Sequence, residues 1–254
     1  MNQEYDNGLA SSTSSPPDRL KALRRELETR GFLHVLHGND PYSVEHCDRF
    51  ADFATFWENM PLDTYMKDGG AYRRRRFGCW TLNSETMRLT PGTHRPFIQS
   101  AEINTFAGGV ARLFDPLEPG FRDHPLLHAL VGWFFNLLPG KHEACEWGVD
   151  AHPIRITARM GEAGNPTPEG VHRDGHDFVA LIFIRRSLEA EGGVSSIYDL
   201  ERKNLFTHAL RQPLEAILVD DRRVLHSASL LQAGGTARTV SRDMLFINYN
   251  AKKA

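Results

Sequence analysis

Near residue 150 the chain changes texture, from apolar residues at helical spacing to apolar residues in alternation or short runs. In the first half, Leu20, Leu23 and Leu27 share one stripe that begins near Asp18 and stops at Gly31, which predicts a helix. A second helix is predicted from Ser43, with Phe50, Phe53 and Trp57 at i, i+3, i+7 spacing, and a third over about 99–113. A fourth spans about 124–138, where Leu126, Leu127, Leu130, Trp133, Phe134 and Leu137 face a core before Pro139-Gly140 ends it.

Beyond residue 150, HPIRITARM (152–160) alternates Ile154, Ile156 and Ala158 with Arg155, Thr157 and Arg159, the pattern of a half-buried strand. DFVALIFIR (177–185) is apolar on both parities, as a central strand covered on both faces requires. Further strands are predicted near 194–198, 214–219, 223–229 and 242–249, parted by Glu191-Gly192-Gly193, Asp220-Asp221 and Gly234-Gly235. Helices followed by many short strands predict an α+β protein: a curved β-sandwich or barrel buttressed by helices on one side. Residues 1–17 carry too little apolar surface to offset ordering entropy and are expected to form a disordered tail, with 18–254 as a single domain.

Charge changes little in this picture. With 30 basic against 32 acidic side chains the net charge is -2, which gives no reason to expect nucleic acid or an anionic membrane as a partner. Cys47, Cys79 and Cys145 lie far apart, form no CxxC pair and leave an odd thiol, against a disulfide framework or zinc knuckle. The longest apolar run, around Leu126 to Leu138, is broken by His128, Gly132 and Asn136, and the first residues lack a basic-then-apolar leader pattern. The expectation is a cytoplasmic protein with no membrane span.

Two stretches read His-x-Asp: His46-Cys47-Asp48 and His172-Arg173-Asp174. His46 and Asp48 fall in a helical pattern, where i and i+2 point roughly 200° apart and cannot converge on one ion. His172 and Asp174 fall at a strand edge, where i and i+2 share a face about 6.6 Å apart along the backbone. His176 continues that parity, but an extended chain puts it about 13 Å from His172, too far for bonds of about 2 Å to one metal. The third ligand is therefore sought on another strand, and His226 in RRVLHSAS is the candidate; His208 in NLFTHALRQ reads as a helical or loop surface residue. Two histidines and one carboxylate form the facial set that holds non-haem Fe(II) with positions open for oxygen and a chelating co-substrate. The competing reading is a satisfied core histidine beside a solvated turn.

Arg238 and Arg242 follow His226, and Arg242 opens the strand RDMLFINY. An arginine entering a buried strand needs an anion, either a bound carboxylate or an ion pair with Asp243 or Asp221. YRRRRFG (72–78) is the densest basic cluster: as a strand it puts Tyr72, Arg74 and Arg76 on one face and Arg73, Arg75 and Phe77 on the other. Arg74 and Arg76 are the substrate-carboxylate candidates, against a solvated basic edge. Gln99 and Asn104 either bond a substrate or tie a helix to the sheet, and Gly192-Gly193 marks a tight strand entry or close backbone approach.

Taken together, HRPFIQSAEINTFAGGVARLFDPL (94–117), PEGVHRDGHDFVALIFIRR (168–186), EGGVSSIYD (191–199), RRVLHSAS (222–229) and SRDMLFINY (241–249) resemble a known family in order and spacing. It is the family of bacterial 2-oxoglutarate/Fe(II) dioxygenases that includes free L-amino-acid hydroxylases of the L-isoleucine 4-hydroxylase type. The resemblance implies a double-stranded β-helix (jelly-roll, cupin-like) core with His172, Asp174 and His226 on iron. It implies that Arg242, with Arg238 as second choice, binds the distal carboxylate of 2-oxoglutarate. The implied cofactors are Fe(II), 2-oxoglutarate and O2, and the implied reaction is hydroxylation of a small molecule, a free aliphatic L-amino acid such as leucine, isoleucine or methionine, with release of succinate and CO2. No catalytic residue beyond the metal ligands is implied. His176 departs from the family form, in which an apolar residue follows HxDG. The alternatives are a metal-binding regulatory module without turnover and a cupin-like metal isomerase or hydrolase.

Overall fold

A computed structural model describes residues 16–36, 47–100, 102–103 and 108–252. The Leu20, Leu23 and Leu27 stripe forms α1 (Pro16–Arg30), which starts just ahead of the expected Asp18 and ends where Gly31 donates its N–H to the Leu27 carbonyl at 2.9 Å. Residues 1–15 of the expected tail lie outside the described residues. After β1 (Phe32–Val35) comes α2 (Cys47–Thr55); its expected start at Ser43 falls on residues not described, as does His46 of the His46-x-Asp48 comparison. Three short strands follow that the apolar pattern does not announce: β2 (Arg73–Arg75), β3 (Gly78–Asn83) and β4 (Leu89–Pro91).

No helix forms among the described residues of 99–113. Apolar residues Ile103, Phe106, Val110 and Leu113 imitate helical spacing, yet Val110 and Leu113 are exposed. Gly108-Gly109 breaks the run; the Gly109 N–H returns to the Gln99 carbonyl at 2.8 Å, and Phe97 and Arg112 exchange both backbone hydrogen bonds at 2.9 and 3.0 Å. The described part of the stretch closes on itself rather than forming a helix. After the single turn α3 (Pro119–Arg122), α4 (Pro125–Leu137) stands where the pattern puts it. His124 caps it by accepting the Leu126 N–H on Nδ1 at 3.1 Å, and Pro125 occupies the first turn, where its missing N–H costs nothing.

The remaining elements are β5 (Glu146–Arg159), β6 (Phe178–Arg186), β7 (Ala190–Gly192), β8 (Ser195–Tyr198), β9 (Asn204–His208), β10 (Ala216–Asp220), β11 (Leu225–Ala228), β12 (Leu231–Ala233) and β13 (Thr239–Ala251). They build a main sheet in the order β1-β10-β6-β13-β5-β3-β4, with β2 also on β5, a smaller sheet β11-β8-β9, and the pair β12-β7. His208 ends β9 and is hydrogen-bonded to Glu215, so it is a strand residue rather than the helical or loop surface residue expected.

Strand parity divides the core. On β6, Phe178, Ala180, Ile182 and Ile184 face α1, α2 and α4, whereas Val179, Leu181 and Phe183 face the smaller sheet. β10 splits the same way, Ala216 and Leu218 against Ile217 and Val219. A strand that reads apolar on both parities is thus buried on both faces. Two antiparallel sheets enclosing a core, with helices packed on the outer face of the larger one, form the double-stranded β-helix of the expected α+β class. No helix of the described residues is long and apolar enough to cross a membrane, and Cys79 and Cys145 are free thiols.

Trp57, just past α2, ties the helices to the sheet. It is fully buried, and its indole Nε1–H is shared between the carbonyls of Met244 on β13 at 3.2 Å and Ile154 on β5 at 3.3 Å. This is where the β13–β6 ladder shifts register, between Asp243 and Met244. Trp57→Phe keeps most of the apolar surface but leaves both carbonyls without that donor, so urea denaturation should show a loss of about 1–3 kcal/mol. A loss under about 0.5 kcal/mol would mean that the indole N–H does not hold the bulge.

Candidate active site

The HRDGH turn is shaped by a buried carboxylate. Asp221, fully inaccessible, accepts the backbone N–H groups of Asp174 (3.0 Å), Gly175 (2.6 Å) and His176 (3.0 Å). Burial, then the neighbouring Asp174 carboxylate, push the Asp221 carboxyl upward, while His226 and these N–H groups oppose them. The turn bends at Gly175, whose φ of +85 suits glycine and where a Cβ would come within 2.9 Å of Ile103 Cγ2. The sharp fold that could bring His176 onto the cluster instead carries it away: His176 hydrogen-bonds Asn248 and Asn250 and does not line the cavity described below. Asp177 points elsewhere too, accepting the Ala251 N–H at 2.8 Å.

His172 and His226 form an isolated antiparallel bridge, exchanging N–H···O bonds at 3.0 and 2.7 Å, so both rings leave the backbone on the same side. Their centroids are 4.5 Å apart. Asp174 Oδ1 lies 3.7 Å from His172 Nε2, and Oδ2 lies 3.4 Å from His226 Nε2. One ligand atom from each residue lies within 4.8 Å of the other two. The His172 Nδ1–H donates to the Gly170 carbonyl at 2.9 Å, which leaves Nε2 as the atom turned to the cluster. Burial lowers the His172 pKa, but the Asp174 carboxylate outweighs it, and the imidazole is held up to about 9. His226 Nε2 is buried with no hydrogen-bond partner among the described residues. An orphaned imidazole nitrogen facing a carboxylate and a second imidazole is the donor set that Fe(II) takes, and the three residues fit it.

These residues open on a cavity between the sheets. β13 lines it with Arg242, Met244, Phe246 and Asn248, one parity of the strand. Arg242 is buried; its Nη2 donates to Ser195 Oγ at 3.3 Å and its Nε has no partner among the described residues. Burial, then the nearby Arg186 charge, lower its pKa to about 10. The two aspartates that could have paired with it are engaged elsewhere, Asp243 with Arg155 and Arg185, Asp221 with the turn. Gly193 makes room for the guanidinium stem, since a Cβ there would stand 2.7 Å from Arg242 Cδ. Arg238, the second choice, is exposed and away from the cavity.

The arginine cluster divides by parity as expected, but the other face looks inward. Arg74 donates to the Met60 carbonyl and Arg76 to the Pro116 carbonyl, and neither lines the cavity. Arg73 and Arg75 do. The reason is that β2 pairs with β5 through Arg73↔Ile156 and Arg75↔Ile154, and sequence alone does not disclose that pairing. Arg73 is paired with buried Asp63 at 2.7 Å. Arg75 has no carboxylate partner among the described residues: it donates to His152 Nδ1 at 2.8 Å from Nη2 and lies over the rings of Phe114 and Phe97 at 4.3 and 5.2 Å. Burial first, then Arg73, bring its pKa to about 9.

Gln99 is buried on the cavity wall, donating Nε2 to the Asp174 carbonyl at 2.8 Å and accepting Arg112 Nη2 at 2.6 Å on Oε1. Asn104 lies outside the described residues. Glu169 was not singled out from the sequence: it stands three positions before His172 on the cavity wall, Oε1 3.4 Å from His172 Nε2 and Oε2 buried without a hydrogen bond. Its proximity to the histidine-carboxylate pair was the available signal.

Known proteins resemble the chain over most of its length. A family model described as 2OG-Fe dioxygenase matches residues 54–248. The chain is 23% identical over 207 residues, 80% of its length and 81% of the relative's, to the 3(1)-hydroxy-L-isoleucine 4-dioxygenase of Pantoea ananatis (strain AJ13355). The crystal structure of a bsmA homolog from Methylobium petroleophilum PM1 superposes with a TM-score of 0.81 at 31% identity, covering 92% of this chain and 95% of that one. IDO from Bacillus thuringiensis has the same fold, with a TM-score of 0.77 at 19% identity, over 92% of this chain and 100% of that one.

Asp221→Ala strips the acceptor from three backbone N–H groups at once and should lower the unfolding free energy by about 2–4 kcal/mol. Asp221→Asn retains an acceptor oxygen and should lose less than half as much; equal losses in urea denaturation would show that the carboxylate is not organising the turn.

Proposed function

The chain belongs to the 2OG-Fe dioxygenase family and is an Fe(II)- and 2-oxoglutarate-dependent oxygenase of a small molecule, and on that premise we propose that it hydroxylates a free aliphatic L-amino acid. Membership sets aside the isomerase, hydrolase and non-turnover readings. His172, Asp174 and His226 would hold the iron, and Arg242 the distal carboxylate of 2-oxoglutarate. Bound together, iron and 2-oxoglutarate supply the oxidising power that puts one atom of O2 into an unactivated C–H bond and the other into succinate, with loss of CO2.

One observation carries the substrate class: after the anchor for 2-oxoglutarate is assigned, the same cavity still holds a buried arginine without a carboxylate and a buried carboxylate oxygen without a donor, Arg75 and Glu169. A zwitterion answers both. Arg75 takes the α-carboxylate and Glu169 the α-ammonium, each relieving a desolvated charge. Ile154, Leu181, Met244 and Phe246 give the same cavity an apolar wall that suits an aliphatic side chain and excludes water. The Pantoea relative, by its name, acts on a hydroxylated isoleucine, which agrees with this class.

Anaerobic Fe(II) with 2-oxoglutarate should give the weak visible band of the chelate. His172→Ala and Asp174→Ala should lose it, and Arg242→Met should raise the Kd for 2-oxoglutarate by about 10²-fold. A full-strength band in the ligand variants would overturn the iron assignment.

Succinate release should be stimulated by aliphatic L-amino acids, with a product one oxygen heavier by mass spectrometry. Arg75→Leu should raise KM for the amino acid by about 10–100-fold while the Kd for 2-oxoglutarate holds, and Glu169→Gln should weaken the amino acid against its N-acetyl derivative. Stimulation by amines lacking a carboxylate, undiminished in Arg75→Leu, would falsify the zwitterion reading.

A further inference from the structure

Outside the cavity lining, the side chains of His34, His208 and Glu215 converge between the two sheets. His34 lies on β1, an edge of the main sheet; His208 ends β9, an edge of the smaller one; Glu215 directly precedes β10. Both imidazoles aim Nε2 at the same atom, Glu215 Oε1, at 3.0 and 2.7 Å. The other oxygen is fixed by the N–H groups of Arg211 (2.7 Å) and Gln212 (3.1 Å), so Oε1 is the atom left for a ligand. The two rings stand 4.5 Å apart at 50°, against 4.5 Å and 51° for His172 and His226. The chain therefore builds the same imidazole pair with a carboxylate twice.

We propose that His34 Nε2, His208 Nε2 and Glu215 Oε1 form a second metal site, for a divalent ion of the Zn²⁺ class. Tetrahedral ligation with bonds of about 2.0–2.1 Å sets ligand atoms about 3.3 Å apart, so these contacts need open by only a few tenths of an ångström. Two imidazoles select a borderline transition ion over Mg²⁺ or Ca²⁺, which prefer oxygen alone. The His208 side chain is 38% exposed, which gives an ion entry and leaves its fourth position to water. Phe206 packs against both rings, at 5.2 Å from His34 and 5.9 Å from His208, and limits their rotation. An ion here staples the edge of one sheet to the edge of the other. It also bears on the cavity through register, because His208 is the β9 partner of Ser195, which holds Arg242.

The test is metal stoichiometry in the full chain, using Zn²⁺ by calorimetric titration and Co²⁺ by visible absorption. The chelator-stripped unsubstituted chain should bind two equivalents, and His172→Ala/His226→Ala should retain one, with Tm raised by about 5 °C or more at saturating Zn²⁺. Adding His34→Gln or His208→Gln to that pair of substitutions should abolish both the binding and the Tm shift; glutamine still donates to Glu215 Oε1, so the cluster stays bonded. One equivalent in the unsubstituted chain and none in His172→Ala/His226→Ala overturns the proposal. So does a second equivalent that survives both glutamine substitutions. Should the substituted chains fail to fold, the count of two against one in the unsubstituted chain still decides.

Discussion

β13 is paired on both sides, to β5 along its whole length and to β6 over most of it, so it cannot slip without breaking two ladders. Its side chains alternate between opposite environments. Asp243, Leu245, Ile247 and Tyr249 are buried away from the cavity, and Arg242, Met244, Phe246 and Asn248 line it. A slip of one residue would bury Arg242 among the helices and turn Leu245 to the cavity. The register of this strand therefore decides both how the main core packs and what chemistry the cavity holds. The Trp57 indole N–H, pinned on the Met244 and Ile154 carbonyls, supports it from the helix side.

Buried charge follows a division of the same kind. Asp63 is matched by Arg73, Asp243 by Arg155 and Arg185, Asp150 by Arg95, and Asp221 by three backbone N–H groups. Each of those partners opposes the cost of burial, although at Asp150 and Asp221 burial still outweighs it and raises the pKa. Among the described residues, Arg242, Arg75, Glu169 Oε2 and His226 Nε2 are incompletely answered and lie on one cavity, while Arg24 and Arg76 each leave an unbonded Nε elsewhere. A fold tolerates such cost where a ligand removes it, so the places where internal pairing fails outline the ligands' charges.

Much of this was legible in the sequence, and the exceptions share a cause. The two-sided burial of β6, the α4 core and the convergence of His172 and Asp174 all follow from period alone, because each is a property of one element. His226 followed from needing a third donor on a rigid neighbouring strand, and Arg242 from a guanidinium opening a buried one, with a pairing to Asp243 or Asp221 left open. What failed required knowing a partner. Arg73 and Arg75 separate from Arg74 and Arg76 by parity, but only the pairing of β2 with β5 tells which pair looks inward. The 99–113 stretch carries helical spacing, and among its described residues the pairing of Phe97 with Arg112 stands in place of a helix. His208 reads as a surface residue until β1 brings His34 beside Glu215.

The smaller sheet is the most demanding part of the architecture. Its strands have only four, four and five residues, yet β11 carries His226 and β8 carries Ser195. Three short strands hold little apolar surface of their own, and the stability of such a sheet comes from what it docks against. One edge, β11, is fastened through the His172–His226 bridge and Asp174; the other, β9, is fastened through His208, Glu215 and His34. Both fastenings are polar, directional and placed at edges, where apolar packing thins out and positions a side chain least well. The apolar layer between the sheets, from Phe32 and Val219 to Ile197, supplies the cohesion, and the two imidazole–carboxylate clusters add polar contacts at the two edges of the smaller sheet. The smaller sheet lines the cavity with Ser195 and His226, so the placing of that wall depends on how firmly both edges are held.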